Sequence, residues 1–152
     1  MKKIILIPLF MSIGSQQTLQ AQPPASKPTL NHIALYVVDL KKSTSFYQQI
    51  IGLDTIPEPF HDGKHTWFSI ASKSHLHLIQ GATAVIEHPK NSHLCFSVGS
   101  VEFFVAALRK NSIVFENWAG EKNAITTRID GVKQIYFKDP DGYWIEINDA
   151  KD

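Results

Sequence analysis

The chain repeats one short pattern, first at residues 31–40 and again at residues 92–101. Each copy opens with a polar residue and a histidine, His32 or His93, and then places apolar residues at every second position. Each copy closes on a residue type that commonly caps a helix, Asp39 or Ser100. Since period-two alternation indicates a β-strand, the repeat predicts two copies of a unit that begins with a strand and continues with a helix.

The segments after each cap extend the unit. Apolar spacing predicts amphipathic helices over about residues 40–51, ending at Gly52, and residues 101–110. Strand patterns follow each helix, at about residues 54–60, 66–71 and 75–80 in the first half and 114–118, 134–137 and 143–148 in the second. Each half is therefore predicted to be a β-α-β-β-β module, and the fold class to be α+β with curved sheets around a cavity.

The N-terminal residues have the features of an export signal. Two lysines precede an apolar run over residues 4–13, which is too short to cross a bilayer, and a small residue, Ala21, offers a cleavage site. A buried N-terminal strand or helix is the alternative. We therefore predict a signal peptide over residues 1–21, a linker over 22–29 and one domain over 30–150, with modules at about 30–81 and 92–149. The mature protein is then expected in the periplasm or outside the cell.

Bulk composition narrows the classes of function. A chain of 152 residues with 43% hydrophobic residues is long enough for one domain with its own core. The net charge is +1 and the basic residues are dispersed, which argues against nucleic acid as a partner. No membrane association is expected once the signal is removed. The single cysteine, Cys95, cannot form an internal disulfide.

Strand alternation places four possible metal ligands on the sheet faces opposite the apolar residues. His32 and His77 lie on the first and last strands of the first module, and His93 and Glu146 occupy the matching positions of the second. Imidazole nitrogen and carboxylate oxygen suit zinc, nickel, iron, manganese or cobalt, and leave positions open for substrate or water. Each histidine alone has a structural or solvated alternative. Their matched placement favours one shared divalent-metal site, with His75 as an alternative to His77.

These residues carry a family resemblance. The segments Asn31-His32-Ile33-Ala34-Leu35, Ser45-Phe46-Tyr47, Ile51-Gly52-Leu53, Leu76-His77-Leu78-Ile79 and His93-Leu94-Cys95-Phe96-Ser97-Val98 resemble the vicinal oxygen chelate superfamily, and residues 136–146 resemble it most strongly. This superfamily includes glyoxalase I, bleomycin-resistance proteins, fosfomycin-resistance enzymes and extradiol dioxygenases. The resemblance implies paired βαβββ modules around a metal, with His32, His93 and Glu146 as ligands.

The fourth position departs from the best-known member. Glyoxalase I has there a glutamate that acts at the metal as a base, whereas this chain has His77. That difference argues against a strict glyoxalase I reaction. Glu146 and His77 remain the candidate catalytic residues of a lyase, isomerase or dioxygenase.

Further side chains are candidates for the pocket. They are Tyr36, Trp67, Trp118, Arg128, Tyr136 and Trp144. Arg128 could pair with an anionic substrate, and the alternative is a solvated position in a loop. Cys95 could be a ligand or a nucleophile, and the alternative, which we favour, is a small buried thiol. His61, His65 and His88 have no matching partner and are expected in loop or surface roles.

Two functions compete with a metalloenzyme acting on a small oxygenated substrate. One is a metal-free ligand-binding protein of the bleomycin-resistance type, and the other is a metal-stabilised structural module. The resemblance also implies a homodimer. Many relatives of this size form their cavity within one subunit or across a dimer, and the sequence does not choose between these two arrangements.

Overall fold

The computed structural model describes residues 27–151, which form two modules with the same strand arrangement. The first module contains β1 (His32–Val37), α1 (Leu40–Phe46), β2 (Thr55–Ile56), β3 (His65–Ala71) and β4 (Ser74–Gln80). The second contains β5 (His93–Ser97), α2 (Val101–Lys110), β6 (Thr126–Thr127), β7 (Lys133–Lys138) and β8 (Trp144–Asn148). The predicted α+β fold of two βαβββ modules is confirmed.

Each module forms one four-stranded sheet. The strand orders are β1-β4-β3-β2 and β5-β8-β7-β6. The first and last strands of each module are parallel neighbours, β1 at the sheet edge with β4 and β5 at the sheet edge with β8, and the other pairs are antiparallel. This topology places the two candidate ligands of each module on adjacent strands.

The predicted export signal at residues 1–21 lies outside the described residues, as does most of the predicted linker. Within residues 27–151, no helix has the length and apolar character needed to span a membrane.

Both helices begin at the predicted caps. The Asp39 carboxylate accepts a hydrogen bond from the Lys42 amide at the start of α1, and the Ser100 hydroxyl accepts one from the Phe103 amide at the start of α2. The helix predicted over residues 40–51 is α-helical only to Phe46. It continues as a π-helical turn, Tyr47–Ile51, which ends at Gly52 with φ of +87°. A left-handed glycine is the common C-terminal stop.

Two strand predictions were wrong at the sheet edges. The segment predicted as a strand over residues 54–60 pairs only at Thr55–Ile56, because the prolines at 57 and 59 lack the amide donor that a ladder needs. The segment 114–118 is not a strand. Glu116 forms only isolated bridges, and Asn117 instead closes a loop with Glu121 through backbone and side-chain hydrogen bonds. The short edge strand β6 takes its place in the sheet.

The apolar faces of both sheets share one hydrophobic core with the helices. Its fully buried members are led by large side chains from both modules: Tyr47, Phe68, Phe115, Phe137, Leu76, Leu78, Leu108, Ile135, Ile145 and Ile147. The predicted alternation is therefore confirmed in the central strands. Because neighbouring residues along a strand point to opposite faces, the candidate ligands lie on the faces that point away from this core.

Candidate metal centre

The second module holds His93 and Glu146 in direct contact. His93 lies on β5 and Glu146 on β8, and the His93 Nε2 atom is 3.1 Å from the Glu146 Oε2 atom. On its other side, the His93 Nδ1 atom is 2.7 Å from the carbonyl oxygen of Lys90. Since a carbonyl oxygen only accepts hydrogen bonds, Nδ1 carries the hydrogen atom. In the neutral ring, Nε2 is thus an acceptor that faces a carboxylate oxygen, and a proton or a cation between them is needed to stabilise the contact.

Hydrogen bonds hold the Glu146 carboxylate in its charged form. The Tyr136 hydroxyl donates to Oε2 over 2.6 Å, and the Asn148 side-chain amide donates to Oε1 over 2.8 Å. Burial alone would raise the pKa of Glu146, but these hydrogen bonds and the neighbouring His93 outweigh it and lower the pKa. Burial and the same contact raise the pKa of Tyr136. Glu146 therefore remains an anion, and Tyr136 remains a donor, at neutral pH.

The first module places His32 and His77 in a stack of parallel rings. The ring centroids of His32 and His77 are 4.3 Å apart with an angle of 7° between the planes. The other face of His77 lies against Trp67, with centroids 3.9 Å apart and planes 1° apart. His77 is thus held between Trp67 and His32.

The two histidines of this stack differ in access. His32 is exposed, and its Nδ1 atom is 2.8 Å from the side-chain oxygen of Asn31. His77 is 8% exposed, and its Nε2 atom is buried and without a hydrogen-bond partner among the described residues. Burial, together with the nearby His32 and His75 rings, lowers the pKa of His77, so its ring is neutral at neutral pH. His75 shares this sheet face, and its ring centroid lies 6.0 Å from that of His77.

The two modules use the same register for their ligand pairs. The β1–β4 ladder pairs His32 with His75, so His77 lies two positions further along β4. The β5–β8 ladder pairs His93 with Trp144, so Glu146 lies two positions further along β8. His77 and Glu146 therefore occupy equivalent positions in the two modules, as the sequence repeat predicts.

The donor set fits a divalent metal. His93 Nε2 and Glu146 Oε2 are fixed by their other contacts, and their 3.1 Å separation is one that a single ion with bonds of about 2.1 Å can span. Within residues 27–151, however, no three His, Cys, Asp or Glu side chains are grouped closely enough to hold an ion. The structure thus brings the four candidates together as two pairs, and their convergence on one ion stays a prediction.

The other sequence candidates have more ordinary surroundings. Cys95 accepts a hydrogen bond of 3.1 Å from the Asn148 amide, and burial followed by the charge of Glu146 raises its pKa to about 12. Arg128 forms an ion pair with Asp130, at 2.5 Å. Trp118 is 48% exposed and meets the Tyr136 ring edge-on. None of these contacts makes Cys95 or Arg128 a ligand.

Lys90 is a residue of the site that the sequence did not predict. Its ammonium group forms an ion pair with Glu116, donates hydrogen bonds of 3.2 Å to the carbonyl oxygens of Asn117 and Trp118, and lies 4.9 Å from the Trp144 ring centroid. Its own carbonyl oxygen accepts the His93 hydrogen bond. No motif marks this residue, since its role depends on contacts between distant strands and the inter-module linker, residues 81–92, which joins β4 to β5.

Two repeated βαβββ modules, each with a candidate ligand on its first strand and another on its last strand, define the class of fold. The model of the Glyoxalase/Bleomycin resistance protein/Dioxygenase superfamily matches residues 29–147, and the chain belongs to this superfamily. The resemblance to vicinal oxygen chelate proteins is thereby confirmed.

Individual relatives are distant in sequence. The chain is 24% identical to the lactoylglutathione lyase of Pseudomonas putida, over 86% of this chain and 90% of that protein. It is 27% identical to the metallothiol transferase FosB of Staphylococcus epidermidis, over 79% of this chain and 80% of that protein. Among solved structures, the oxidase ChaP-H2 has a TM-score of 0.68 at 23% identity, covering 83% of this chain and 96% of its own. At that identity the structural likeness shows the fold alone.

Proposed function

We propose that the protein is a metal-dependent enzyme of the superfamily that acts on a small oxygenated substrate. His32, His93 and Glu146 are the proposed ligands of a divalent ion, which is zinc, nickel, iron, manganese or cobalt. The observation that carries the proposal is the 3.1 Å contact between two acceptor atoms, His93 Nε2 and Glu146 Oε2. A partly buried contact of this kind is stabilised when a cation or a proton lies between the two atoms.

When bound, a divalent ion supplies Lewis-acid stabilisation to neighbouring oxygen atoms of a substrate. The residues of the chain prepare the site for this chemistry. Tyr136 and Asn148 keep the Glu146 carboxylate ionised and oriented. The Lys90 carbonyl oxygen fixes the His93 tautomer whose Nε2 lone pair is free to bind.

The reaction type is narrowed by the residue at the fourth position. Named relatives include a lyase, a transferase and an oxidase. His77 cannot supply the negative charge of a glutamate at that place, and its Nε2 atom is buried. We therefore place the activity among lyase-like or dioxygenase-like reactions other than the strict glyoxalase I reaction.

A second copy of the chain is the proposed means of completing the site. The two ligand pairs lie on separate sheets, and within residues 27–151 they do not form a group of three. In a two-fold symmetric dimer, each contact between a residue of one subunit and a residue of its partner occurs twice, with the roles of the subunits exchanged. The His32 side of one copy would then meet the His93 and Glu146 side of the other, which gives two equivalent sites.

The proposed location is outside the cytoplasm, with cleavage after Ala21. Mass spectrometry of the protein from a culture that expresses the full chain tests this. A mature N-terminus at Gln22 supports export, and a cytoplasmic protein that retains residues 1–21 contradicts it.

Metal content tests the proposed function. The purified protein, supplied with each candidate metal and then dialysed, should retain about one ion per chain. His93→Ala should lose that ion, whereas His61→Ala should keep it, because the His61 side chain is 80% exposed. Full metal loading of the His93→Ala variant would contradict the proposal. A wild-type protein that retains no metal but binds a small molecule would instead favour a binding protein of the bleomycin-resistance type.

A further inference from the structure

The stacked rings of the first module bear on the role of His77. We propose that His77 is a positioning residue, which holds the His32 ring by stacking and does not itself bind the metal. This inference rests on the proposed metal site, and it reduces the protein ligands to His32, His93 and Glu146.

The ring geometry prevents His32 and His77 from binding one ion together. A histidine nitrogen binds a metal through a lone pair that lies in the plane of its ring. The planes of His32 and His77 are parallel within 7°, and the ring centroids are 4.3 Å apart. An ion about 2.1 Å from both nitrogens would lie well outside at least one ring plane. One of the two rings must therefore be something other than a ligand.

Access decides which ring binds. The Nε2 atom of His77 is closed off from solvent, and the ring is covered on one face by Trp67 and on the other by His32. Rotation of His77 toward an ion would separate it from both neighbours. His32 is exposed, and within residues 27–151 its ring has one hydrogen bond, to Asn31, besides the stack. His32 is thus the accessible ligand, and His77 is the fixed support.

Stacking on His77 restricts the motion of the His32 side chain before a metal binds. His32 stands at the first position of β1, where a side chain has few neighbours to restrict its rotation. Contact with a ring that is itself fixed by Trp67 reduces that freedom before the metal arrives. Preorganised ligands bind more tightly, because less side-chain entropy is lost on binding. A site with three protein ligands also leaves more positions open to a chelating substrate.

Two substitutions of His77 separate stacking from ligation. His77→Phe keeps a flat ring in the stack and removes both nitrogens, whereas His77→Ala removes the ring. The affinity for Zn²⁺ or Co²⁺ is measured by competition with a chelator. We expect His77→Phe to remain within about threefold of the wild type, and His77→Ala to weaken binding by about tenfold to a hundredfold, as loss of a supporting partner does. His32→Ala should lose binding altogether.

A loss in His77→Phe as large as that in His32→Ala would overturn the proposal. The absorption spectrum of the Co²⁺-loaded protein adds a test of the ligand set, which should be the same in the wild type and in His77→Phe. A changed Co²⁺ spectrum in His77→Phe would show that a ligand had been removed. Trp67→Leu provides an independent test in case the His77 variants misfold, since it weakens the stack without removing any imidazole. Its metal affinity should fall, and an unchanged affinity in a folded Trp67→Leu protein would also overturn the proposal.

The metal-free protein provides a readout that does not depend on metal binding. In the stack, ring currents should shift the His77 carbon-bound ring protons upfield in the NMR spectrum, and Trp67→Leu should remove most of that shift. Absence of the shift would overturn the stacked arrangement. If the wild type shows the shift but binds no metal, the proposed function fails while the stack itself is established.

Discussion

Asp141, in the turn between β7 and β8, accepts a hydrogen bond of 2.5 Å from the Ser43 hydroxyl group in α1. The same carboxylate accepts a hydrogen bond of 2.7 Å from the Val38 amide, just before that helix. The second module therefore inserts a carboxylate at the start of the first module's helix. The neighbouring Asp139 accepts a similar bond from the Tyr47 hydroxyl, at 2.8 Å. Residues 136–146, which carry the strongest resemblance to the superfamily, thus connect the two modules through hydrogen bonds.

Asp141→Ala should destabilise the fold strongly. Asp141 is 4% exposed, and its removal leaves the Ser43 hydroxyl and the Val38 amide without their partner. Two hydrogen bonds to a charged group at about 1.5–3 kcal/mol each predict a loss of about 3–6 kcal/mol in the free energy of unfolding. Urea denaturation measures it. Asp130→Ala is the control, because the Asp130 ion pair with Arg128 is on the surface and should contribute little. Equal effects of the two substitutions would contradict the role of Asp141.

Gly142→Ala should also be destabilising, because Gly142 lies against the inter-module linker. Gly142 has φ of +89°, and a Cβ atom there would lie 2.4 Å from the carbonyl oxygen of Ile86. Gly131 has a similar φ of +86° but open space around it, so Gly131→Ala is a matched control. Both variants pay the left-handed backbone cost of about 1–2 kcal/mol. Gly142→Ala should lose about 1–3 kcal/mol more, the usual cost of overpacking, and thermal denaturation of the two variants measures the difference. If Gly131→Ala is as destabilising as Gly142→Ala, the linker does not pack on the turn.

Sequence patterns predicted the parts of the fold that depend on local chemistry. The apolar spacing after Ser100 gave α2 its observed limits, Val101–Lys110. Alternation also assigned Leu76 and His77 to opposite faces. The edge strands were mispredicted, since their pairing depends on where neighbouring segments end. At residues 117–121, hydrogen bonds of the Asn117 side chain to Glu121 stabilise a loop in place of the predicted strand pairing.

The candidate site, like the fold, could be predicted only where it depends on the alternation within a single strand. Alternation assigns His32 and His77 to one sheet face, but it does not give the register between their strands. The ladder pairs His32 with His75, while the ring of His32 stacks on His77, two residues further along. Trp67 completes the stack from β3, where it pairs with His77. A contact that crosses three strands depends on tertiary packing, which a pattern within one strand cannot encode.

Lys90→Met should lower both stability and metal affinity. The Lys90 side chain is 17% exposed and interacts with Glu116, the Trp144 ring and two carbonyl oxygens. Loss of the ammonium group leaves the partly buried Glu116 carboxylate unpaired, which predicts a loss of about 2 kcal/mol in the free energy of unfolding. Because the Lys90 carbonyl oxygen positions His93, movement of the inter-module linker should also weaken metal binding.

Lys138→Met is the matched control for Lys90. The Lys138 ammonium group also lies over the Trp144 ring, 5.0 Å from its centroid. Its ion-pair partner, however, is Glu87, whose side chain is 86% exposed. A pair with so exposed a partner contributes little to stability. Urea denaturation and chelator competition should therefore show a clear loss for Lys90→Met and almost none for Lys138→Met. The reverse order would contradict the proposed role of the Lys90 contacts.

Cys95 should react slowly with alkylating reagents in the metal-free protein, even though the residue is exposed. The thiol is only partly buried, but this partial burial, followed by the negative charge of Glu146, raises its pKa from 9.0 to about 12. Only the thiolate is nucleophilic, so a shift of that size reduces the reactive fraction at pH 8 by roughly a thousandfold. Iodoacetamide labelling followed by mass spectrometry should show little modification at pH 8 and a rate that still rises at pH 10. Glu146→Gln removes the charge and should speed the reaction, whereas labelling of the wild type at the rate of a free thiol would contradict the prediction.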